Sequence, residues 1–131
     1  MGTHKHLILL VDDDKNFREI LSLKLKNLGL DIIEAESGKE ALEKLETINS
    51  DLVLLDLQMP LMNGVETLMK IKTDSKFPKV KVVFLTNYGE AKEEFKNIDK
   101  IFAKDLGAMS YINKSEDLNT IVAEIEKIIH G

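Results

Sequence analysis

Short apolar runs alternate with longer amphipathic segments along the whole chain, and that alternation leaves few folds open. The runs are HLILLV (residues 6–11), LDIIEA (30–35), DLVLLDL (51–57), KVVFLT (81–86) and AMSYIN (108–113). Each has the length of a strand, and stretches such as VLL and VVFL are apolar at successive positions, as strands buried on both faces are. The segments between them carry apolar residues at helical spacing. In residues 15–29, Phe17, Ile20, Leu21, Leu25 and Leu28 share a face and Gly29 ends the helix. Ser37 caps a second helix, with Glu40 three residues on in a capping-box pattern and Ala41, Leu42, Leu45 and Ile48 facing inward. Residues 64–72 form a third helix, residues 90–105 a long charged fourth, and residues 117–129 a fifth with Leu118, Ile121, Val122, Ile125, Ile128 and Ile129 apolar.

Five strand–helix units in series imply an α/β fold: a parallel sheet with helices on both faces. The 131 residues suit one domain, residues 1–131 with a core of about 5–130. No apolar run approaches the roughly 20 residues that cross a bilayer. The N-terminal MGTHKH has no signal-like apolar stretch, and the absence of Cys removes disulfides, thiolate catalysis and Cys-ligated zinc. These features lead to the expectation of a cytoplasmic protein with no membrane partner. A net charge of −5, with Lys scattered among Glu, argues against direct nucleic-acid binding, which needs a concentrated basic face.

In an open parallel sheet, function gathers beyond the carboxyl ends of the strands. The first strand ends in Asp12, Asp13 and Asp14, the third in Asp56, the fourth in Thr86 and Asn87; the fifth is followed by Lys114 and Ser115. The second ends in Glu34, with nothing else distinctive. With strands one, three, four and five side by side, carboxylates, a hydroxyl and an ammonium meet in one cleft. Packed carboxylates repel unless a cation offsets the charge. Mg2+ suits an all-oxygen site, and the lysine adds positive charge for an incoming phosphoryl group. Asp56, on a rigid strand end, is placed as a nucleophile.

Four stretches, LLVDDD (9–14), DLVLLDLQMPLMNG (51–64), VVFLTN (82–87) and GAMSYINKS (107–115), resemble in order and placement the receiver domains of bacterial two-component response regulators, similar to the single-domain chemotaxis regulator. The resemblance covers nearly the whole chain. It implies a flavodoxin-like doubly wound (βα)5 sandwich with strand order 2-1-3-4-5. It implies that Asp56 takes a phosphoryl group from a phosphohistidine on a sensor histidine kinase or phosphotransfer protein. Asp13, Asp56 and the backbone carbonyl of Gln58 would ligate Mg2+, Asp12 would position a metal-bound water, and Lys114 would pair with the phosphoryl oxygens. Thr86 would bond the arriving group, and Tyr111 would follow it inward as a switch. The surface of the fourth helix, fifth strand and fifth helix would then signal to a downstream protein or a covalently linked output domain, and is also a possible homodimer face. The only catalysis implied is the domain's own phosphorylation and dephosphorylation.

The chain departs from the family pattern in places. Ser115 stands where the family has Pro after a cis bond, and a cis bond before a non-proline costs about 3 kcal/mol. Asn87 replaces a small residue and narrows access to the site. Tyr88 is placed to shield the phosphorylated carboxylate. The interval from Thr86 to Tyr111 is several residues longer than usual, so a lengthened or shifted fourth helix is expected. Asp14 reads as a helix cap, and Tyr111 equally as a fixed core aromatic or a mobile switch. His4 and His6 form a frayed N-terminus and His130 an exposed tail. Three alternatives compete. The intact Asp12, Asp13, Asp56, Thr86 and Lys114 set argues against a pseudo-receiver that binds partners without phosphorylation, while the Ser115 and Asn87 departures keep that reading open. An aspartyl phosphatase would place a second Asp where Gln58 stands. A flavin carrier would need a glycine-rich loop where VDDDKN repels phosphate.

Overall fold

Alternate residues of the central strands belong to opposite faces of the sheet, and this builds two cores. The computed structural model describes residues 5–87 and 110–131. The elements are β1 (Leu7–Val11), α1 (Lys15–Lys26), β2 (Asp31–Ala35), α2 (Gly38–Lys44), β3 (Leu52–Asp56), α3 (Gly64–Asp74), β4 (Lys81–Thr86), β5 (Ser110–Asn113) and α4 (Leu118–His130). The five strands pair in parallel in the order β2-β1-β3-β4-β5. Leu9, Val11, Val53, Leu55, Val82 and Phe84 pack with Ala41 and Leu45 of the α2 region and with Leu68 and Ile71 of α3. Ile8, Leu10, Leu52, Leu54, Val83, Leu85 and Ile112 pack with Leu21 and Leu25 of α1 and Ile121 and Ile125 of α4. Every residue of β3 is buried. Continuous apolar strands covered by helices on both faces are thus what the runs in the sequence required.

Some local expectations change. On α1 the buried residues are Arg18, Leu21, Ser22 and Leu25, while Ile20 and Leu28 are half exposed. The stripe facing the sheet is therefore narrower than the apolar pattern, and one cation lies within it. Ser37 caps α2 by accepting from the Glu40 N–H (3.1 Å), but Glu40 Oε1 accepts from the Glu36 N–H (2.8 Å), so the reciprocal bond falls one residue early. The complete capping box is on α3: Asn63 Oδ1 accepts from the Glu66 N–H and Glu66 Oε1 from the Asn63 N–H. That helix runs two residues past its expected end, to Asp74. Helix α2 stops at Lys44, leaving Ile48 beyond it. His6 is half buried and its ring meets that of His130 edge-on, with centroids 5.1 Å apart, so His6 is not frayed; His130 is exposed as expected, though it closes the last helix, and His4 lies outside the described residues. The expectations for Tyr88, the fourth helix at residues 90–105 and the long Thr86–Tyr111 interval fall largely outside the described residues.

Candidate functional site

Register brings the polar strand ends together. Val11 pairs with Ala35 on one side and Leu55 on the other, Asp56 with Leu85, and Thr86 with Asn113. Strands β1, β3, β4 and β5 therefore finish at one rim. Backbone bonds continue just past it: the Asp12 N–H donates to the Ala35 carbonyl (3.0 Å), the Leu57 N–H to Leu85 (2.9 Å) and the Lys114 N–H to Thr86 (2.7 Å). The side chains at the rim thus hang from backbone that neighbouring strands already hold.

Asp12 is fully buried, Asp56 and Thr86 are nearly so, and Asp13 is exposed. Asp12, Asp13 and Asp56 each offer a carboxylate oxygen, and these oxygens lie within 4.8 Å of one another. Lys114 Nζ stands 2.9 Å from Asp12 Oδ2 and 3.7 Å from Asp56 Oδ2. Its ammonium lies over the Phe17 ring, 4.7 Å from the centroid. The Asp14 N–H donates to Asp12 Oδ1 (2.9 Å) and the Gln58 N–H to Asp56 Oδ1 (3.2 Å), so one oxygen of each buried carboxylate is tied to its own turn. Asp14 is set apart from this group: it caps α1 by accepting from the Phe17 N–H.

The electrostatics follow from burial and crowding. Burial, and after it the adjacent Asp12 carboxylate, push Asp56 up to about 8, against the opposing pull of Lys114 and the Gln58 N–H. Burial alone would lower the Lys114 ammonium, but Asp12, Asp56 and Asp14 together hold it above its ordinary range. Carboxylates this close, one of them fully buried, with Lys114 the one ammonium within 4 Å of them among the described residues, form a group that could hold a cation. Its donors are all hard oxygens, which fits a divalent ion such as Mg2+.

The loop after Asp56 is folded back onto the strand it leaves. A Cβ at Gly64 would collide with the Asp56 carbonyl and stand 2.8 Å from Leu57 Cα, so only glycine permits α3 to start there. The Gly64 N–H donates to the Leu57 carbonyl at 2.9 Å. Leu61, at the tip, is fully exposed with φ of 70°. The Lys114–Ser115 peptide is trans. Tyr111 is half buried against the core on the α2/α3 side, and Thr86 lies in the same rim.

Two contributors were not singled out from the sequence. Arg18 is buried beneath the Asp12 turn, where its Nη1 donates to the Asp12 carbonyl (2.7 Å) and its Nε to Glu34 Oε1 (2.9 Å). Glu34, whose strand end looked undistinguished, is thus the counter-charge that keeps this cation under the acidic turn. Phe17 is the other, since it supports Lys114 as well as packing. The available signal for Arg18 was a cation one residue from Phe17, on the buried stripe of α1.

Residues 8–126 match the family model described as the response regulator receiver domain, and the chain belongs to that family. That family is one of regulatory receiver domains. Among curated proteins the chain is 39% identical over 122 residues to the transcriptional regulatory protein CpxR homolog of Haemophilus influenzae, covering 93% of this chain and 49% of that one. The chain spans about half the length of the curated relatives it matches. Among solved structures it is similar to a CheY-like receiver domain protein from Methanospirillum hungatei JF-1, with TM-score 0.81 and 28% identity over 97% of this chain and 95% of that one. It is also similar to Vibrio cholerae chemotaxis protein CheY4, with TM-score 0.82 and 26% identity over 95% and 99%.

Proposed function

We propose that this receiver domain, spanning residues 1–131, accepts a phosphoryl group on Asp56 from a phosphohistidine of a sensor histidine kinase or phosphotransfer protein. An Asp56 carboxylate oxygen attacks phosphorus, the P–N bond breaks, and the imidazole nitrogen leaves with the bonding pair. Asp13, Asp56 and the backbone carbonyl of Gln58 would hold Mg2+, with Asp12 positioning a metal-bound water. When bound, the ion supplies charge neutralisation for the carboxylates and the phosphoryl oxygens. Lys114 pairs with those oxygens from the β5 side, and the Thr86 hydroxyl donates to them. Asp56 reacts as its ionised form, so the cation and Lys114 must outweigh the burial that favours its proton. The added dianion draws Thr86 inward and Tyr111 after it, and the surface around β5 and α4 carries the change to a downstream protein or a linked output domain. A homodimer through that surface and a cytoplasmic setting belong to the same reading.

One observation supports this reading above the rest: loops from three strands converge, so that Lys114 Nζ lies 2.9 Å from Asp12 and 3.7 Å from Asp56, with Asp13 alongside. The test is intact mass after incubation with Mg2+ and acetyl phosphate. Wild type should gain one phosphoryl group and Asp56→Asn none. No gain in wild type would favour a partner-binding domain that works unphosphorylated. Steady release of phosphate from ordinary esters would favour an enzyme.

A further inference from the structure

Thr86 and Lys114 come from different strands, and the residue after each is bonded to the residue after the other. Ser115 Oγ donates to Asn87 Oδ1 at 2.8 Å. One step back, the Lys114 N–H donates to the Thr86 carbonyl at 2.7 Å. A third bond braces the same turn: the Ser115 N–H donates to Asn113 Oδ1 at 2.8 Å, and Asn113 is the register partner of Thr86. The β4–β5 contact is therefore carried past the end of the sheet by side chains. Asn87 and Ser115 are both exposed, so neither serves the core. Lys114 is a long, rotamer-rich side chain that must reach from β5 to the carboxylates of β1 and β3, and any freedom in its backbone is multiplied at the ammonium.

We infer that Asn87 and Ser115 form a clasp that positions Lys114 over Asp56, an inference that rests on Asp56 being the phospho-acceptor. They are positioning residues and act through Lys114. With the clasp closed, the turn at residues 114–115 is tied to the β4 end and the ammonium stays between Asp12 and Asp56. With it open, the turn gains freedom and the ammonium spends less time there. Because the bond needs both partners, Ser115→Ala should add nothing once Asn87 is already Ala.

The experiment uses the full chain as wild type, Ser115→Ala, Asn87→Ala, the double variant and Ser115→Thr. Initial rates of mass gain are followed with Mg2+ across a range of acetyl phosphate concentrations. Each Ala variant and the double should lose about three- to tenfold in maximal rate, the factor one neutral hydrogen bond is worth, with donor KM and melting temperature little changed. Ser115→Thr keeps the hydroxyl and should restore the wild-type rate. In parallel, amide hydrogen exchange at Lys114 is measured without phosphoryl donor, and should speed up in the three Ala-containing proteins, no more in the double than in Asn87→Ala, and not in Ser115→Thr. Additive losses, failure of Thr to rescue, or wild-type rate and wild-type Lys114 exchange in the single variants would overturn the clasp. If wild type gains no phosphoryl group, the phospho-acceptor reading fails, and the Lys114 exchange data alone decide whether the clasp exists.

Discussion

At the residue scale, the site is a balance between a buried carboxylate and the charges around it. Asp56 is pushed up from 3.8 to about 8, first by burial and then by Asp12. The unfolded chain releases this proton near the ordinary carboxylate value, while the folded chain keeps it to about 8, so the folded state binds more protons across that window. Without divalent cation, stability should therefore fall as pH rises from about 4 to about 8 and level off above. Asp56→Asn removes the titration, and its melting temperature in EDTA at pH 8 should exceed that of wild type by several degrees, read by calorimetry. Mg2+ should raise the wild-type melting temperature by roughly 10 °C at a hundredfold excess over its Kd, and much less in Asp56→Asn. Arg18 works from below. Replacing it by Met leaves Glu34 and the Asp12 carbonyl without their donor. That should cost about 2–3 kcal/mol in urea unfolding and also weaken Mg2+ binding, because the Asp12–Asp13 turn loses its support.

At the element scale, α1 separates what periodicity can say from what packing decides. Five apolar residues were assigned to its inner face, yet Leu21 and Leu25 are fully buried while Ile20 is half exposed. An apolar stripe wider than the contact area cannot be trimmed from sequence, because the width of the contact depends on how the helix lies on the sheet. Leu21→Ala should cost about 2–4 kcal/mol, and Ile20→Ala less than about 0.5 kcal/mol, by chemical denaturation. The turn into α3 makes a parallel case. Gly64 was legible as a turn residue, but its reason is the approach of the helix start to the Asp56 carbonyl. Gly64→Ala should cost about 1–3 kcal/mol and slow the proposed phosphorylation of Asp56, since relief of the clash must move the strand end that carries this carboxylate.

At the scale of the whole molecule, β3 lies between two cores and contributes to both. Leu54 packs on the α1/α4 side and Leu55 on the α2/α3 side, both fully buried. The two cores should therefore unfold together. Leu54→Ala and Leu55→Ala should each shift a single transition by about 2–5 kcal/mol, with far-UV circular dichroism and methyl NMR coinciding; two separated transitions would contradict a shared central strand.

Periodicity by itself determined the class of fold and four described helices and five strands to within a few residues; strand-end chemistry gathered the polar groups, and the resemblance to receiver domains selected Asp12, Asp13, Asp56, Thr86 and Lys114 from among them. The first two could do so because buried strands must be apolar and polar residues at their ends must have a use. Which residues touch was decided only by the tertiary structure. The ion pair of Lys114 with Asp12, the Arg18–Glu34 support and the Asn87–Ser115 bond join residues far apart in the chain, and their meeting depends on strand order and register. A sequence records the chemistry of each partner but not the distance between them, and those interactions exist only where that distance is short.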